Sequence, residues 1–287
     1  MNFTFYKLRV GRNDLLLINQ MGEVLPDEAL LPQLSRSICR RRRGVGANGV
    51  TFLFDHPEAG ASARFFSRSG TELSRFHDPL YGAARYLFDS GFAGTKALTL
   101  ETPEGIRSIE AIDSANFRIS MGTPRDAQGQ LLEEMISTDS GSYISVEGKT
   151  HSVTPVMLDQ LCGVLFCGGD LEREAALLGK PLTKTKLFNR KFHPLFVQVY
   201  SDDDIAVAVR WRKGYGFPET SLAAASAAVA AGARGFTNRS LMTRFGSYDL
   251  FVEWTEPGGE LLCTGGAEYV FTGEYYLDEE SLYRTAE

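Results

Sequence analysis

The chain has 287 residues, of which 43% are hydrophobic and 23% are charged, and its formal net charge is −6. This composition is typical of a globular protein, and the length fits one large domain or two of moderate size with a core that needs no disulfides. The negative net charge argues against a broad nucleic-acid interface, and no stretch approaches the roughly 18 apolar residues of a membrane span.

Most of the chain is predicted to form short strands separated by turns rich in Gly, Asp and Ser. The N-terminal residues alternate apolar and polar side chains, as a strand does, and they lack the basic start and apolar run of a signal peptide. A cytoplasmic location is therefore expected. Further strands are predicted at residues 15–18, 50–54, 63–66, 161–166, 196–200 and 205–209.

Two stretches, at about residues 80–90 and 221–231, are apolar all round and are predicted to be buried helices. Pro79 suits the first turn of the first helix, and Thr220 or Ser221 is the expected N-cap of the second. Two buried helix starts facing one cleft would each offer backbone N–H groups, which favour an anion such as a carboxylate.

The two predicted helices have similar surroundings. Each follows an Arg-bearing strand, a Gly-containing turn and a glutamate, Glu72 in one case and Glu219 in the other. This weak internal duplication predicts two related halves, with a hinge near residues 122–129. The alternative is that both stretches are simply core helices.

Residues 40–43 form a run of four arginines. A charge run of this kind is most simply a solvated basic turn. The alternative interpretation is a rim that attracts anions beside the glycine-rich segment that follows it.

The four cysteines are too few for a disulfide framework in a chain of this length, which again indicates a reducing cytoplasm. Cys162 and Cys167 belong to an apolar run, and buried thiols of this kind are usually inert. No histidine is spaced with a second ligand as zinc motifs require, so neither a metal nor another cofactor is expected.

Several motifs occur in the order and spacing of one known family. Gly44-Val45-Gly46-Ala47-Asn48-Gly49 is similar to its Gly-Ile-Gly-Ala-Asp-Gly, residues 66–72 are similar to its Phe-Asn-Ala-Asp-Gly-Ser-Glu, and residues 262–273 are similar to its closing strand. With these motifs the chain resembles diaminopimelate epimerases over nearly its whole length.

The resemblance implies an α+β fold with two pseudo-symmetric halves, each a curved antiparallel β-sheet or barrel around a central α-helix. We place the N-terminal half at residues 1–122 plus 272–287 and the C-terminal half at residues 123–271. The active-site cleft is expected between the halves.

The family passes a proton between two cysteines, one at the tip of each central helix. In this sequence the first of these positions falls in His77-Asp78-Pro79 and the second is Ala223. Alanine cannot move a proton, so two-thiol epimerisation of diaminopimelate is excluded on this alignment. The scaffold is expected to be retained, with its chemistry changed or lost.

Residues 72–84 also resemble the phenazine-biosynthesis isomerases, a related family with the same fold. Those proteins use carboxylate and imidazole groups and carry Glu-Leu followed by His-Pro-x-x-Gly-Ala. Their histidine position is Asp78 here, with His77 one residue before it, and their second catalytic position would fall near Thr220.

His77, Asp78 and Glu219 are the predicted catalytic residues, because imidazole and desolvated carboxylate groups can move protons near neutral pH. Alternatively, His77 is a turn residue, Asp78 is a helix starter and Glu219 is a cap. The predicted substrate-binding residues are Asn13, Ser67, Tyr81, Gly82, His193, Arg212, Thr220 and Ser221. Arg212 or Lys213 would hold a substrate carboxylate, unless both are solvent-facing strand charges.

Three functions stay open at this point. The first is a cofactor-independent isomerase, or a related lyase, acting on a small carboxylate or amino-acid-derived substrate other than diaminopimelate. The second is a catalytically silent paralogue that binds a small anion or a protein partner. The third is a cyclase or rearrangement enzyme of secondary metabolism. A homodimer is compatible with each of them.

Overall fold

The computed structural model describes residues 1–23, 28–92, 96–132, 142–213 and 217–277. In these ranges the α-helices are α1 (Leu31–Ile38), α2 (Asp78–Asp89), α3 (Leu171–Leu182) and α4 (Thr220–Ala233), with a short 3-10 helix at Glu28–Leu30. The strands are β1 (Asn2–Val10), β2 (Asn13–Asn19), β3 (Gly49–Phe54), β4 (Ala61–Ser67), β5 (Glu72–Leu73), β6 (Ala97–Thr102), β7 (Gly105–Ala111), β8 (Asn116–Ser120), β9 (Ser142–Val146), β10 (Lys149–Met157), β11 (Leu161–Phe166), β12 (His193–Ser201), β13 (Asp204–Val209), β14 (Ser240–Arg244), β15 (Asp249–Trp254), β16 (Leu261–Gly266) and β17 (Glu268–Tyr276).

The chain divides into two compact units. Unit 1 comprises Met1–Ile119 and Gly266–Glu287, and unit 2 comprises Ser120–Gly265. Within the described ranges, neither unit has a helix that is both long enough and apolar enough to cross a membrane.

Unit 1 is built on a mixed sheet in which helices connect parallel neighbours. The parallel pairs are β2–β3, joined through α1, and β4–β6, joined through β5 and α2. The pairs β1–β17, β1–β2, β3–β4, β4–β5, β6–β7 and β7–β8 are antiparallel.

Unit 2 repeats this arrangement. Its parallel pairs are β11–β12, joined through α3, and β13–β14, joined through α4. The other pairs, β9–β10, β10–β11, β12–β13, β14–β15 and β15–β16, are antiparallel. The predicted α+β fold with two pseudo-symmetric halves is confirmed. The sheets are mixed rather than purely antiparallel because each helix serves as the crossover that a parallel pair requires.

The strands predicted from the sequence pattern are confirmed as β1, β2, β3, β4, β11, β12 and β13. Two helices, α1 and α3, were not predicted. The reason is that each is amphipathic and buries only one side, such as Leu31, Leu34 and Ile38 of α1, whereas the prediction looked for helices apolar all round. The start of α3 does carry a recognisable signal, since the Asp170 carboxylate accepts the N–H of Arg173 at 3.1 Å.

The two predicted central helices are confirmed as α2 and α4. All 14 residues of α4 are buried, and the helix contacts each of the strands β10 to β15. Nine of these residues are Ala or Gly, so the surrounding strands can approach closely. The prediction that Thr220 or Ser221 caps α4 is wrong, because the helix already begins at Thr220 and Glu219 is its N-cap.

The two helices of unit 1 use different faces of the sheet. Side chains of α1 pack in one hydrophobic cluster with Leu16, Ile18 and Phe52. Helix α2 contacts β1, β2 and β3, and a Cβ placed on its Gly82 would lie 3.2 Å from Leu8 Cδ1. Because side chains alternate along a strand, the face that carries Leu8 and Val10 is the face that meets α2.

Candidate active site

The candidate catalytic pair of unit 1 lies at the start of α2. His77 is the N-cap and Asp78 is the first helical residue, with relative exposures of only 2% and 1%. Pro79 occupies the first turn, as predicted. A carboxylate at this end of a helix interacts favourably with the helix dipole.

Asn13 binds Asp78 directly. In the ladder between β1 and β2, Asn13 lies opposite Val10, on the face of the sheet that meets α2. Its side-chain Nδ2 donates a hydrogen bond to Oδ2 of Asp78 over 2.8 Å. Asn13 is 3% exposed, so this bond is shielded from water.

The Asn13–Asp78 bond is the inner end of a chain of side-chain hydrogen bonds, called here the amide chain. Oδ1 of Asn13 accepts from Nδ2 of Asn48 at 2.7 Å. Oδ1 of Asn48 in turn accepts from Nη2 of Arg41 at 3.0 Å. The amide chain therefore runs Arg41, Asn48, Asn13, Asp78, from an exposed guanidinium to a buried carboxylate.

Asp14 anchors the outer end of the amide chain. Its carboxylate receives two hydrogen bonds from Arg41, at 2.6 and 2.9 Å, and one from Nζ of Lys7 at 2.8 Å. Burial opposes ionisation of Asp14, but the hydrogen bonds from Arg41 and Lys7 outweigh it and lower its pKa below the ordinary 3.8. Arg41 thus forms an exposed ion pair with Asp14, a partner that neither interpretation of the arginine run named.

Three other predicted binding residues of unit 1 lie on strand β4 and helix α2. Ser67 ends β4, and its hydroxyl lies 2.8 Å from that of Ser69. Tyr81 is fully buried within α2, and Gly82 lets α2 approach β1 closely. Roles of Ser67, Tyr81 and Gly82 in binding a substrate stay predictions.

The corresponding place in unit 2 is the start of α4. Glu219 is the N-cap, in an extended conformation, and is 2% exposed. Thr220 and Ser221 follow as the first two helical residues and are also buried. The backbone N–H of Ala223 donates to the carbonyl of Glu219 at 3.3 Å, so the position of the family's second thiol lies one turn inside the helix.

His193 lies at the start of β12, fully buried. The backbone N–H of Arg212 donates to its Nδ1 at 3.0 Å, so Nδ1 carries no proton and the proton is on Nε2. Nε2 lies 2.7 Å from Oε1 of Gln160, and Nε2 of Gln160 donates to the carbonyl of Phe217 at 3.0 Å. Both ring nitrogens of His193 therefore form hydrogen bonds within the protein. Through Gln160 these bonds connect His193 to Phe217, in the segment that precedes α4.

Arg212 was predicted to hold a substrate carboxylate. Its Nη1 donates to the carbonyl of Thr185 at 2.6 Å, which fixes the guanidinium against the segment after α3. Residues 214–216 of the predicted glycine turn lie outside the described residues. Binding of a carboxylate by Arg212 stays a prediction.

No thiol of unit 1 or unit 2 is placed for proton transfer. None of the four cysteines, all of which lie in the described ranges, forms a disulfide, and all four are buried. Burial raises the pKa of Cys39, Cys162 and Cys167 to about 12, so these three stay neutral thiols at physiological pH. Among the described residues, no group of three or more His, Cys, Asp or Glu side chains is arranged to hold a metal ion.

Sequence reasoning missed three residues of these networks: Asn48, Arg41 and Gln160. Asn48 and Arg41 belong to segments that were singled out for other reasons, the glycine-rich motif and the arginine run. The internal duplication seen in the sequence also paired the wrong residues, Glu72 with Glu219. Glu72 is exposed and pairs with Arg64 at 2.7 Å, whereas the unit 1 residue that corresponds to Glu219 is the N-cap His77.

The fold is shared with solved structures of other proteins. It matches a phenazine biosynthesis protein of the PhzF family from Enterococcus faecalis with a TM-score of 0.65 and 13% sequence identity, covering 96% of this chain and 100% of that one. It matches a hydroxyproline epimerase from Agrobacterium vitis with a TM-score of 0.63 and 12% identity, covering 97% of this chain and 93% of that one.

The sequence gives a closer assignment. The chain is 30% identical over 282 residues to the diaminopimelate epimerase of Moorella thermoacetica, an alignment that covers 96% of this chain and 99% of that one. No protein-family model matches the chain. The chain belongs to the diaminopimelate epimerase family and is isomerase-like in both family and fold.

Proposed function

We propose that this protein is a cofactor-independent isomerase that moves a proton on a small carboxylate or amino-acid-derived substrate other than diaminopimelate. Asp78 and His77 act at one helix start and Glu219 acts at the other, in place of the two thiols of the family. The observation that carries the proposal is the buried Asp78 carboxylate, which lies where the family's first thiol is expected. Its Oδ2 accepts a hydrogen bond from Nδ2 of Asn13 at 2.8 Å.

The argument for Asp78 rests on its surroundings. A carboxylate that is 1% exposed is costly to bury unless it is hydrogen-bonded, and here Asn13 supplies a donor. A desolvated carboxylate held in one orientation is the kind of group that can abstract or return a proton beside a carbonyl. His77, the N-cap of α2 and the neighbour of Asp78, is the second candidate acid–base residue at this helix start.

The argument for Glu219 rests on its place in the fold. It precedes a helix whose residues are all buried, and it is itself only 2% exposed. A side chain at an N-cap stands beside the backbone N–H groups of the first helical turn, which favour an anion. We propose that Glu219 is the acid–base group of unit 2, as Asp78 is of unit 1.

The substrate class follows from two considerations. Helix starts and Arg212 both favour a carboxylate. The relatives named above act, by their names, on diaminopimelate and hydroxyproline, which are amino acids. The thiols needed for the family reaction are missing, so we expect no epimerisation of diaminopimelate itself.

The proposal is tested by solvent exchange. The purified protein is incubated in deuterium oxide with a panel of small carboxylates and amino acids, and deuterium incorporation is followed by NMR and mass spectrometry. Exchange at one carbon-bound position, without added cofactor, is the expected result. If compounds that raise the melting temperature bind but never exchange, the protein is a catalytically silent paralogue instead.

A further inference from the structure

The amide chain has a fixed direction, and Arg41 sets it. A guanidinium group only donates hydrogen bonds, so Asn48 has to turn its Oδ1 towards Arg41. Nδ2 of Asn48 then faces Asn13 and donates to its Oδ1. Asn13 is left with its own Nδ2 on the side of Asp78, where it donates to Oδ2.

The backbone holds Asn48 in place for this task. Its N–H donates to the carbonyl of Asp14 at 2.8 Å, and its carbonyl accepts the N–H of Arg68 at 2.9 Å. The preceding Gly46 has a φ of +80°, and a Cβ there would lie 2.9 Å from Cα of Arg41. The glycine-rich segment therefore wraps closely around Arg41 and presents Asn48 to Asn13.

We propose that Asn48 and Arg41 are positioning residues for Asp78. They hold the Asn13 amide in the orientation that donates to Oδ2, and they thereby help to fix the orientation of the Asp78 carboxylate. This inference rests on the proposed function, since the orientation of Asp78 affects turnover only if Asp78 moves a proton.

The family motif supplies a sharp test. It has Asp at the position of Asn48, and an aspartate cannot donate to Oδ1 of Asn13. In an Asn48→Asp variant, Asn13 lies between two carboxylates that only accept hydrogen bonds, so its carbonyl oxygen has to face one of them and its bond to Asp78 is placed in competition. The variant that restores the family residue is therefore expected to be worse than Asn48→Ala, which only removes the restraint.

The first measurement needs no substrate. Hydrogen exchange of the Asn13 side-chain NH2 is followed by NMR on the full chain. Asn48→Ala and Arg41→Gln are expected to accelerate it by about tenfold to a hundredfold, since each removes the group that fixes the amide. Arg41→Lys, which keeps a donor-only cation, is expected to stay close to wild type.

The second measurement uses the substrate found by solvent exchange. Asn48→Ala is expected to lower kcat by about tenfold and Asn48→Asp by about a hundredfold, with KM changed by less than about threefold. Asn19→Asp is the matched control, because Oδ1 of Asn19 accepts the N–H of Met21 at 3.0 Å and a carboxylate keeps that bond.

Each outcome decides the inference. Unchanged exchange of the Asn13 amide in Asn48→Ala and Arg41→Gln overturns it, whatever the activity. Faster exchange with a wild-type kcat in Asn48→Asp overturns the catalytic part of it. Failure of the proposed function is seen separately, as full turnover in Asp78→Asn. Circular dichroism and melting curves show that each variant compared is folded.

Discussion

His77 and Glu219 hold the same position in the two units, since each is the buried N-cap of a central helix. The repeated topology makes the two places equivalent, yet one carries an imidazole and the other a carboxylate. Neither carries the thiol chemistry of the family. The equivalence identifies the two helix starts as the places where substitutions are most informative.

Removal of either carboxylate is expected to abolish most solvent exchange into the substrate. Asp78→Asn and Glu219→Gln keep the size and polarity of the side chains but remove the acid–base group, which is expected to lower the rate by about 10²- to 10⁴-fold. Glu72→Gln is the matched control, because Glu72 is exposed and paired with Arg64. Wild-type exchange in either helix-start variant would contradict the assignment.

Activity is expected to be insensitive to thiol reagents. The pKa of three cysteines lies at about 12 and all four are buried, so iodoacetamide finds no accessible thiolate in the folded protein. Intact-mass analysis after treatment at about pH 8 should show no adduct on the native chain, whereas the same treatment in denaturant should label every cysteine. Rapid inactivation of the native protein would point to a thiol mechanism after all.

Asp14 is expected to stabilise the fold in a pH-dependent way. Its pKa is lowered in the folded protein, so its contribution is present above the ordinary value of 3.8 and is lost as the pH falls below it. Urea unfolding of wild type and Asp14→Asn should therefore differ at neutral pH and converge in acid. Arg41→Gln should weaken the same dependence, since it removes a partner of the carboxylate. A difference that stays constant with pH would exclude this origin.

Gly49 is expected to tolerate no side chain. A Cβ there would lie 2.3 Å from Cζ of Phe65, a fully buried ring in the neighbouring strand β4. Gly49→Ala should destabilise the protein by about 1–3 kcal/mol through overpacking. Gly168→Ala is the control, because a Cβ there meets nothing within 4 Å. Equal melting temperatures for the two variants would show that Phe65 moves aside.

The protein is expected to leave diaminopimelate stereochemically unchanged. Ala223 is fully buried and replaces the second thiol, so Ala223→Cys alone should not create the missing activity. Chiral chromatography of diaminopimelate after long incubation measures this directly. Conversion by the wild-type chain would show that non-thiol groups perform the family reaction.

The sequence pattern was sufficient to place seven of the seventeen described strands, the two central helices and the repeat, because alternating and all-round apolar patterns reflect burial directly. The two amphipathic helices α1 and α3 were missed because their patterns are short and one-sided. The mixed sheet was missed for a related reason, since the crossovers that make neighbours parallel are these helices.

The site was predictable only where a motif marks it. Asp78 and Asn13 are 65 residues apart along the chain, and the resemblance alone suggested that they belong together. Asn48 lies 35 residues from Asn13, and the orientation of its amide depends on Arg41. No local sequence pattern therefore predicts the contact between Asn48 and Asn13. Similarly, the protonation of His193 is set by Arg212 and Gln160, which are remote in sequence.

Helix α4 has no solvent-facing side, since every one of its residues is buried among strands β10 to β15. The helix lacks stabilising contacts until those strands have assembled. No part of it can leave the core of unit 2 without exposing buried side chains. Unit 2 should therefore fold as one cooperative body with a slow, non-local transition state. The amide hydrogens of α4 should exchange with solvent only through global unfolding.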